Sequence, residues 1–333
     1  MSGRLEAAPV FPDLDPAVIG WAQRTGELAA DLPGLASEDQ SVRRAAALRL
    51  SDLLAEEYTE PVPDGARIDD LTVAGGDGPI RARRFRPRDA TGPLPTLVWC
   101  HGGGFVGGTI DEILNDRLCA DRALRSGVQI ISLEYRLAPE HPFPAAVEDA
   151  VAAVRDVRDR AHELDADPAR IGIGGNSAGA AVTAIAALRL RDAGEGVHHQ
   201  AFEVLPGALR PVGASSERFA RGFGLDDAEP LGALYLAGAS LAEASPLDAP
   251  DHSGLPPTVI LVAEFDPLRD GALAYAEALR AAGVPVTVYE GAGHVHGSPA
   301  LTAGWQGARD WRDAFVAALT LAYAPSDAPP PRD

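Results

Sequence analysis

Lysine is absent from this chain, and all 29 basic residues are arginine. Chemistry that needs a primary ε-amine is thereby excluded: the P-loop lysine, Schiff-base and pyridoxal catalysis, and Ser-Lys dyads. Cysteine is nearly absent too. Cys100 and Cys119 alone build neither a disulfide framework nor a zinc knuckle, and are expected as two reduced core thiols. The opening MSGRLEAAPVFPDLDP places Glu6, Asp13 and three prolines where a signal peptide needs an unbroken apolar stretch, so a cytoplasmic location is expected. Long hydrophobic runs are also missing. The longest, Ala178 to Leu188, is interrupted by Thr183 and stops at Arg189, far short of the ~18 apolar residues of a membrane span. Positive charge is in deficit, with 29 basic against 48 acidic residues and a net charge of −19. A surface so acidic repels phosphate backbones and anionic lipid, so neither nucleic acid nor membrane is an expected partner.

What remains is the composition of a folded globular protein: 333 residues, 46% hydrophobic and 23% charged, with 35 Gly and 28 Pro. A chain of this length buries roughly three-quarters of its unfolded surface. Residues 1–60 read as an N-terminal helical cap segment, because SVRRAAALRLSDLLAEEY sets Val42, Ala46, Leu50, Leu53 and Leu54 at three- and four-residue spacing, with Ser41 as N-cap. Pro61, Pro63 and Gly65 end it, and residues 61–333 form the expected catalytic domain. Strands are expected near 68–73, 80–85, 96–100, 128–133, 170–174, 200–205, 258–263 and 284–289, and helices near 144–164, 178–191, 271–282 and 303–323. Such alternation, with near-continuous apolar strands, predicts an α/β fold: a mostly parallel eight-stranded sheet covered by helices on both faces. Roughly fifty residues separate the strands near 205 and 258, against the usual ~4–6 of a connection. A cap insertion at about 206–250 is therefore expected, with LDDAEPLGALYLAG as a helix capped by Asp226 or Asp227. The tail PSDAPPPRD is expected to fray.

Three segments carry the candidate chemistry. In Ile171-Gly-Ile-Gly-Gly-Asn-Ser177-Ala-Gly179, a short apolar strand meets a helix of small residues through G-x-S-x-G. A tight strand-to-helix turn of this kind exposes a serine hydroxyl at a helix N-terminus, which makes Ser177 a candidate nucleophile. The glycine spacing does not satisfy the dinucleotide fingerprint. His101-Gly102-Gly103-Gly104 directly follows the apolar strand TLVWC. Consecutive glycines suit bare amides brought up to a developing oxyanion, so the N–H groups of Gly103, Gly104 and Ala178 are the candidate donors, with His101 orienting the loop. A serine needs a base, and the base a partner to fix its tautomer. Asp266 follows the strand TVILVAEF, and Gly291-Ala-Gly-His294-Val-His296-Gly297 follows VPVTVYE. The order Ser, Asp, His is that of an α/β-hydrolase. Asp270 is read as opening the next helix. His294-x-His296 lacks the Cys or HExxH partners of a metal site, so no metal and no cofactor is expected.

With HGGGFVGG at 101–108, EYRLAPEHPFPAAVEDA at 134–150, GNSAG at 175–179, SGLPPTVILVAEFDPLRD at 253–270 and YEGAGHVHG at 289–297, the chain resembles the hormone-sensitive-lipase-like branch of α/β-hydrolase carboxylesterases. The resemblance runs from about residue 66 to the end of the sheet. It implies Ser177 as nucleophile, Asp266 as acid, His294 as base, Gly103, Gly104 and Ala178 as oxyanion donors, and an N-terminal helical cap. Asn176 stands where the family usually has an acid, and Ala180 where a further glycine is frequent. In the family the histidine lies three residues after a glycine, which selects His294, and precedes a glycine, which selects His296. Spacing from the strand favours His294. His141 in PEHPFP is read as supporting the site wall, and His162, His198, His199 and His252 as surface or supporting residues.

The function expected is a serine hydrolase that cleaves carboxylic esters of short to medium acyl chains, or a compact ester, through an acyl-enzyme. Its partner is a small-molecule ester, and homodimerisation stays open. The same fold also hosts acyltransferases and lyases, and related chains bind small molecules without catalysis. A complete triad argues against the last.

Overall fold

The computed structural model describes residues 14–221, 225 and 228–324. The residues that precede Leu14, the proposed capping positions Asp226 and Asp227, and the Pro-rich tail lie outside the described residues. Eight strands form one sheet: β1 (Ala66–Gly75), β2 (Gly78–Pro87), β3 (Leu94–Cys100), β4 (Gln129–Leu133), β5 (Ala166–Asn176), β6 (Gln200–Glu203), β7 (Thr258–Phe265) and β8 (Val286–Val295). Their spatial order is β1-β2-β4-β3-β5-β6-β7-β8. β2 is antiparallel to β1 and β4, and every other pairing is parallel. Burial on both faces explains why β3, β4 and β7 read as continuous apolar runs instead of alternating.

The helices are α1 (Pro16–Ala30), α2 (Gln40–Tyr58), α3 (Ile113–Ser126), α4 (Ala145–Asp159), α5 (Ala178–Asp192), α6 (Ser215–Arg218), α7 (Ala228–Leu236), α8 (Arg269–Ala281) and α9 (Gln306–Ala322). One sheet face buries Val98, Ile131 and Ile173 against Val147, Val154 and Val182 of α4 and α5 and against Leu279 of α8. The opposite face buries Leu97, Trp99 and Ile130 against Cys119 and Ala123 of α3 and against Trp311, Phe315 and Leu319 of α9. Asp15 caps α1 and Asp39 caps α2, each accepting from an amide of the first turn. Ser41, expected as the cap of α2, is the residue whose amide that cap receives.

Apolar spacing in the sequence did not indicate α3. Its buried face is formed by Asn115, Cys119, Ala120, Arg122 and Ala123, so polar residues occupy positions that a count of apolar residues requires. A third apolar cluster joins Val18 of α1 and Phe219 beyond α6 to Phe265, Val295, Leu301 and Trp305, at the carboxyl tips of β7 and β8. Both segments expected to contribute to a cap therefore contact the end of the sheet where the candidate residues gather. Among the described residues no helix is long and apolar enough to cross a membrane.

Candidate active site

Ser177 stands between β5 and α5 with φ 51° and ψ −124°. A non-glycine residue held at positive φ costs about 1–3 kcal/mol and persists only where its surroundings impose it. Here a Cβ on Gly179 would lie 2.1 Å from the Cys100 carbonyl oxygen, so only glycine lets α5 start this close to β3. The Ser177 amide donates to the Glu203 carbonyl at 2.9 Å, which ties the turn to β6.

Two further strand tips reach the serine. Asp266, just past β7 and 1% exposed, accepts the Leu268 amide on Oδ1, and its Oδ2 lies 2.7 Å from His296 Nδ1. His296 Nε2 lies 2.8 Å from Ser177 Oγ. Because a carboxylate only accepts, Nδ1 carries the imidazole proton and Nε2 is left to accept from the serine hydroxyl. Hydroxyl, imidazole and carboxylate thus form one continuous hydrogen-bonded line.

The histidine in that line is not His294. His294 is buried, with Nδ1 2.9 Å from Ser298 Oγ and Nε2 3.0 Å from the Gly307 carbonyl oxygen. Trp305 and Trp311 flank it, with ring centroids at 4.3 and 4.8 Å. Burial pulls its pKa down to about 4, so it stays neutral near neutral pH. Spacing from the strand failed for a local reason. Ala263 pairs with Gly291 but Phe265 pairs with Val295, so β8 bulges against β7. Gly293 takes φ 74° within the bulge and donates its amide to Glu264 Oε2 at 2.8 Å. The extra backbone pushes the tip outward, and the residue that reaches Ser177 comes two positions later than a regular strand would place it. Of the two family cues, the His-Gly pair His296-Gly297 marks the histidine that lies beside Ser177.

Gly102, Gly103 and Gly104 line the same cleft as Ser177 and His296. Among the described residues the amides of Gly103 and Gly104 donate no backbone hydrogen bond, and the amide of Ala178 belongs to the unpaired first turn of α5. The loop is fixed from below: Tyr135 Oη donates to the His101 carbonyl at 2.7 Å and stacks on the His101 ring. Burial lowers the pKa of His101, so the ring is a neutral brace, as expected for a loop-orienting residue. Arg44 of α2, not singled out in the sequence, ties the same loop to the segment after β4 through the Val106 and Ala138 carbonyls at 2.7 and 2.8 Å.

Asp270 opens α8 and exchanges hydrogen bonds with Ser215. His141 is exposed, and His199 and His252 are buried. Among the described residues no group of three or more His, Cys, Asp or Glu side chains is placed to hold a metal ion.

Residues 97–300 match a family model described as the alpha/beta hydrolase fold. The chain belongs to this family, in its hormone-sensitive-lipase-like carboxylesterase group. It is 37% identical over 249 residues to esterase LipI of Mycobacterium tuberculosis, covering 72% of this chain and 77% of that protein. Over 244 residues it is 37% identical to carboxylesterase NlhH of the same species, covering 69% and 75% of the two chains. Among solved structures, an ester-hydrolase from the metagenome of Lake Arreo, bound to a bipyridine phosphonate derivative, superposes with TM-score 0.82 at 36% identity, over 92% of this chain and 98% of the other. A bacterial heroin esterase superposes with TM-score 0.80 at 32% identity, over 94% and 99%.

Proposed function

We propose that this carboxylesterase cleaves compact, uncharged esters through an acyl-enzyme built on Ser177, with His296 as general base and Asp266 as its orienting acid. The observation that carries the assignment is the unbroken line from Ser177 Oγ through both nitrogens of His296 to Asp266. Ser177 Oγ bonds to the ester carbonyl carbon while its proton passes to His296 Nε2. Negative charge gathers on the carbonyl oxygen and is met by the N–H groups of Gly103, Gly104 and Ala178. The tetrahedral species expels the alcohol, which takes the proton from His296. Water then gives a proton to His296 as it attacks the acyl carbon, and the second tetrahedral species breaks its bond to Ser177 Oγ, which takes that proton back as the acid leaves.

The cleft supports a compact substrate, with a volume of about 400 Å³ and a mixed lining that includes Trp99, Leu118, Leu231 and Pro299. Its lid is read as two pieces, the N-terminal helices and the segment at about 206–250. Trp21 of α1 fills the space beside Gly297, and Leu231 of α7 the space beside Gly104. Phe105, next to the glycines, stacks on Tyr235 of α7 at 3.9 Å. The buried free thiols of Cys100 and Cys119 suit the cytoplasmic location inferred from the sequence. Hydrolysis of p-nitrophenyl esters of increasing acyl length tests the reading. kcat/KM is expected to peak at short to medium chains, and folded protein that turns over none of them would overturn it.

A further inference from the structure

The wall of the cleft formed by α3 and β6 carries a charged pair that the ester chemistry does not use. Arg122 and Glu203 both line the cleft, 3% and 4% exposed. Arg122 Nη2 lies 2.9 and 2.7 Å from the two Glu203 oxygens, and Trp311 Nε1 donates to Glu203 Oε1 at 2.7 Å. The guanidinium rests over the rings of Trp99 and Phe315 at 5.0 and 4.6 Å. It is therefore held rigidly, yet it grips the carboxylate through Nη2 alone. Its Nε is buried with no hydrogen-bond partner among the described residues.

An unpaired buried donor is unfavourable, and a buried ion pair is commonly no better for stability than two apolar side chains of similar volume. Packing alone does not call for this pair. Asn115, Leu118, Cys119 and Arg122 recur at helical spacing along the cleft side of α3. Asn115 is spent inside the protein, donating to the Ile110 carbonyl and accepting from Ser132 Oγ, so Arg122 is the member of that face with donors to spare. It is also close to the chemistry. Glu203 pairs with Asn176 in the β5–β6 register, and its carbonyl receives the Ser177 amide. The pair is neutral as a unit, so it offers an anionic ligand no net positive charge.

We propose, on the basis of the esterase reading above, that Arg122, held by Glu203, is a polar subsite of the cleft. It selects uncharged esters that carry a hydrogen-bond-accepting oxygen, as an ether, ketone or hydroxyl, a short chain away from the scissile carbonyl. A substrate oxygen there takes up guanidinium hydrogen-bonding capacity that Glu203, held through Nη2 alone, leaves unused, whereas a plain alkyl chain does not.

The test compares esters in which one oxygen replaces one methylene at successive positions, first in the acyl half and then in the alcohol half, each against the alkyl ester with the same number of chain atoms. At one position in one half, kcat/KM for the oxygen-containing ester is expected to exceed that of its alkyl partner about ten-fold or more. In the double variant Arg122→Leu/Glu203→Gln, which keeps an acceptor for the Trp311 indole, that ratio is expected to fall toward one. Arg122→Met/Glu203→Met gives a second background in which the same collapse is required. A wild-type ratio near one at every position, with both esters turned over, overturns the subsite and leaves the esterase reading intact. So does a preference that survives in either folded double variant. Turnover of neither ester by folded wild-type protein overturns the esterase reading itself.

Discussion

Replacing His294 by alanine separates the two histidines at the tip of β8, because it should damage the fold and spare the chemistry. The ring is 1% exposed and wedged between Trp305 and Trp311. Its truncation leaves a core cavity, which typically costs ~2–5 kcal/mol. The Gly307 carbonyl loses the imidazole donor but, inside the first turn of α9, keeps the amide four residues on, so this adds little. Ser298 Oγ likewise keeps the Val295 amide and carbonyl. A loss of about 2–5 kcal/mol follows, visible as a fall in Tm of several degrees or more by circular dichroism.

The variant should also change the response to acid. Burial lowers the His294 pKa from 6.5 to about 4, so as pH falls below about 6.5 the unfolded chain takes up a proton that the folded chain refuses. The wild type therefore loses up to about 3 kcal/mol from this group between about pH 6.5 and pH 4, and the variant does not. His199, likewise drawn down to about 4 by burial, leaves a residual slope in both proteins. At a temperature where the variant is folded, kcat/KM on a short p-nitrophenyl ester should stay within about ten-fold of wild type, since its ring touches none of the reacting atoms. An unchanged Tm together with a thousand-fold loss of kcat would refute this assignment of His294 to the core.

Asp266→Asn should lower kcat by about 10⁴-fold with little change in Tm, because an amide facing Nδ1 disturbs the tautomer that keeps Nε2 open to Ser177; steady-state kinetics beside a melting curve read both. Gly179→Ala puts a methyl where the Cys100 carbonyl stands, 2.1 Å from its oxygen. The turn must then shift, at a cost of about 1–3 kcal/mol or more and with a marked loss of kcat, and unchanged values of both would contradict the packing described for α5.

The parts of this protein that the sequence made legible are those in which one physical demand dominates. β3, β4, β7 and the stretch of β5 from Ile171 to Gly175 are buried on both faces and read as short apolar runs. The turn at Ser177 and the loop at Gly102–Gly104 announce themselves through glycines that leave the backbone no alternative. The order of serine, aspartate and histidine followed from the sequence of strand tips. Where two demands compete, the pattern blurs. On α3, Asn115 and Arg122 are buried among apolar neighbours, so the helix does not show an apolar stripe and its contribution to the cleft went unread. At the tip of β8 a bulge changes the count between strand and site, so His296, not His294, lies beside Ser177. Arg44 gave no signal at all, since nothing local to α2 shows that its guanidinium reaches the loop beside Phe105.

The most direct measurement is covalent capture of the nucleophile by a fluorophosphonate, followed by intact mass and mapping of the modified peptide. Wild-type protein and His294→Ala are expected to gain one phosphonyl group on Ser177, and His296→Ala to react about a thousand-fold more slowly or not at all. Modification at another residue, or rapid labelling of His296→Ala beside an inert but folded His294→Ala, contradicts the assignment of Ser177, His296 and Asp266 as one catalytic unit.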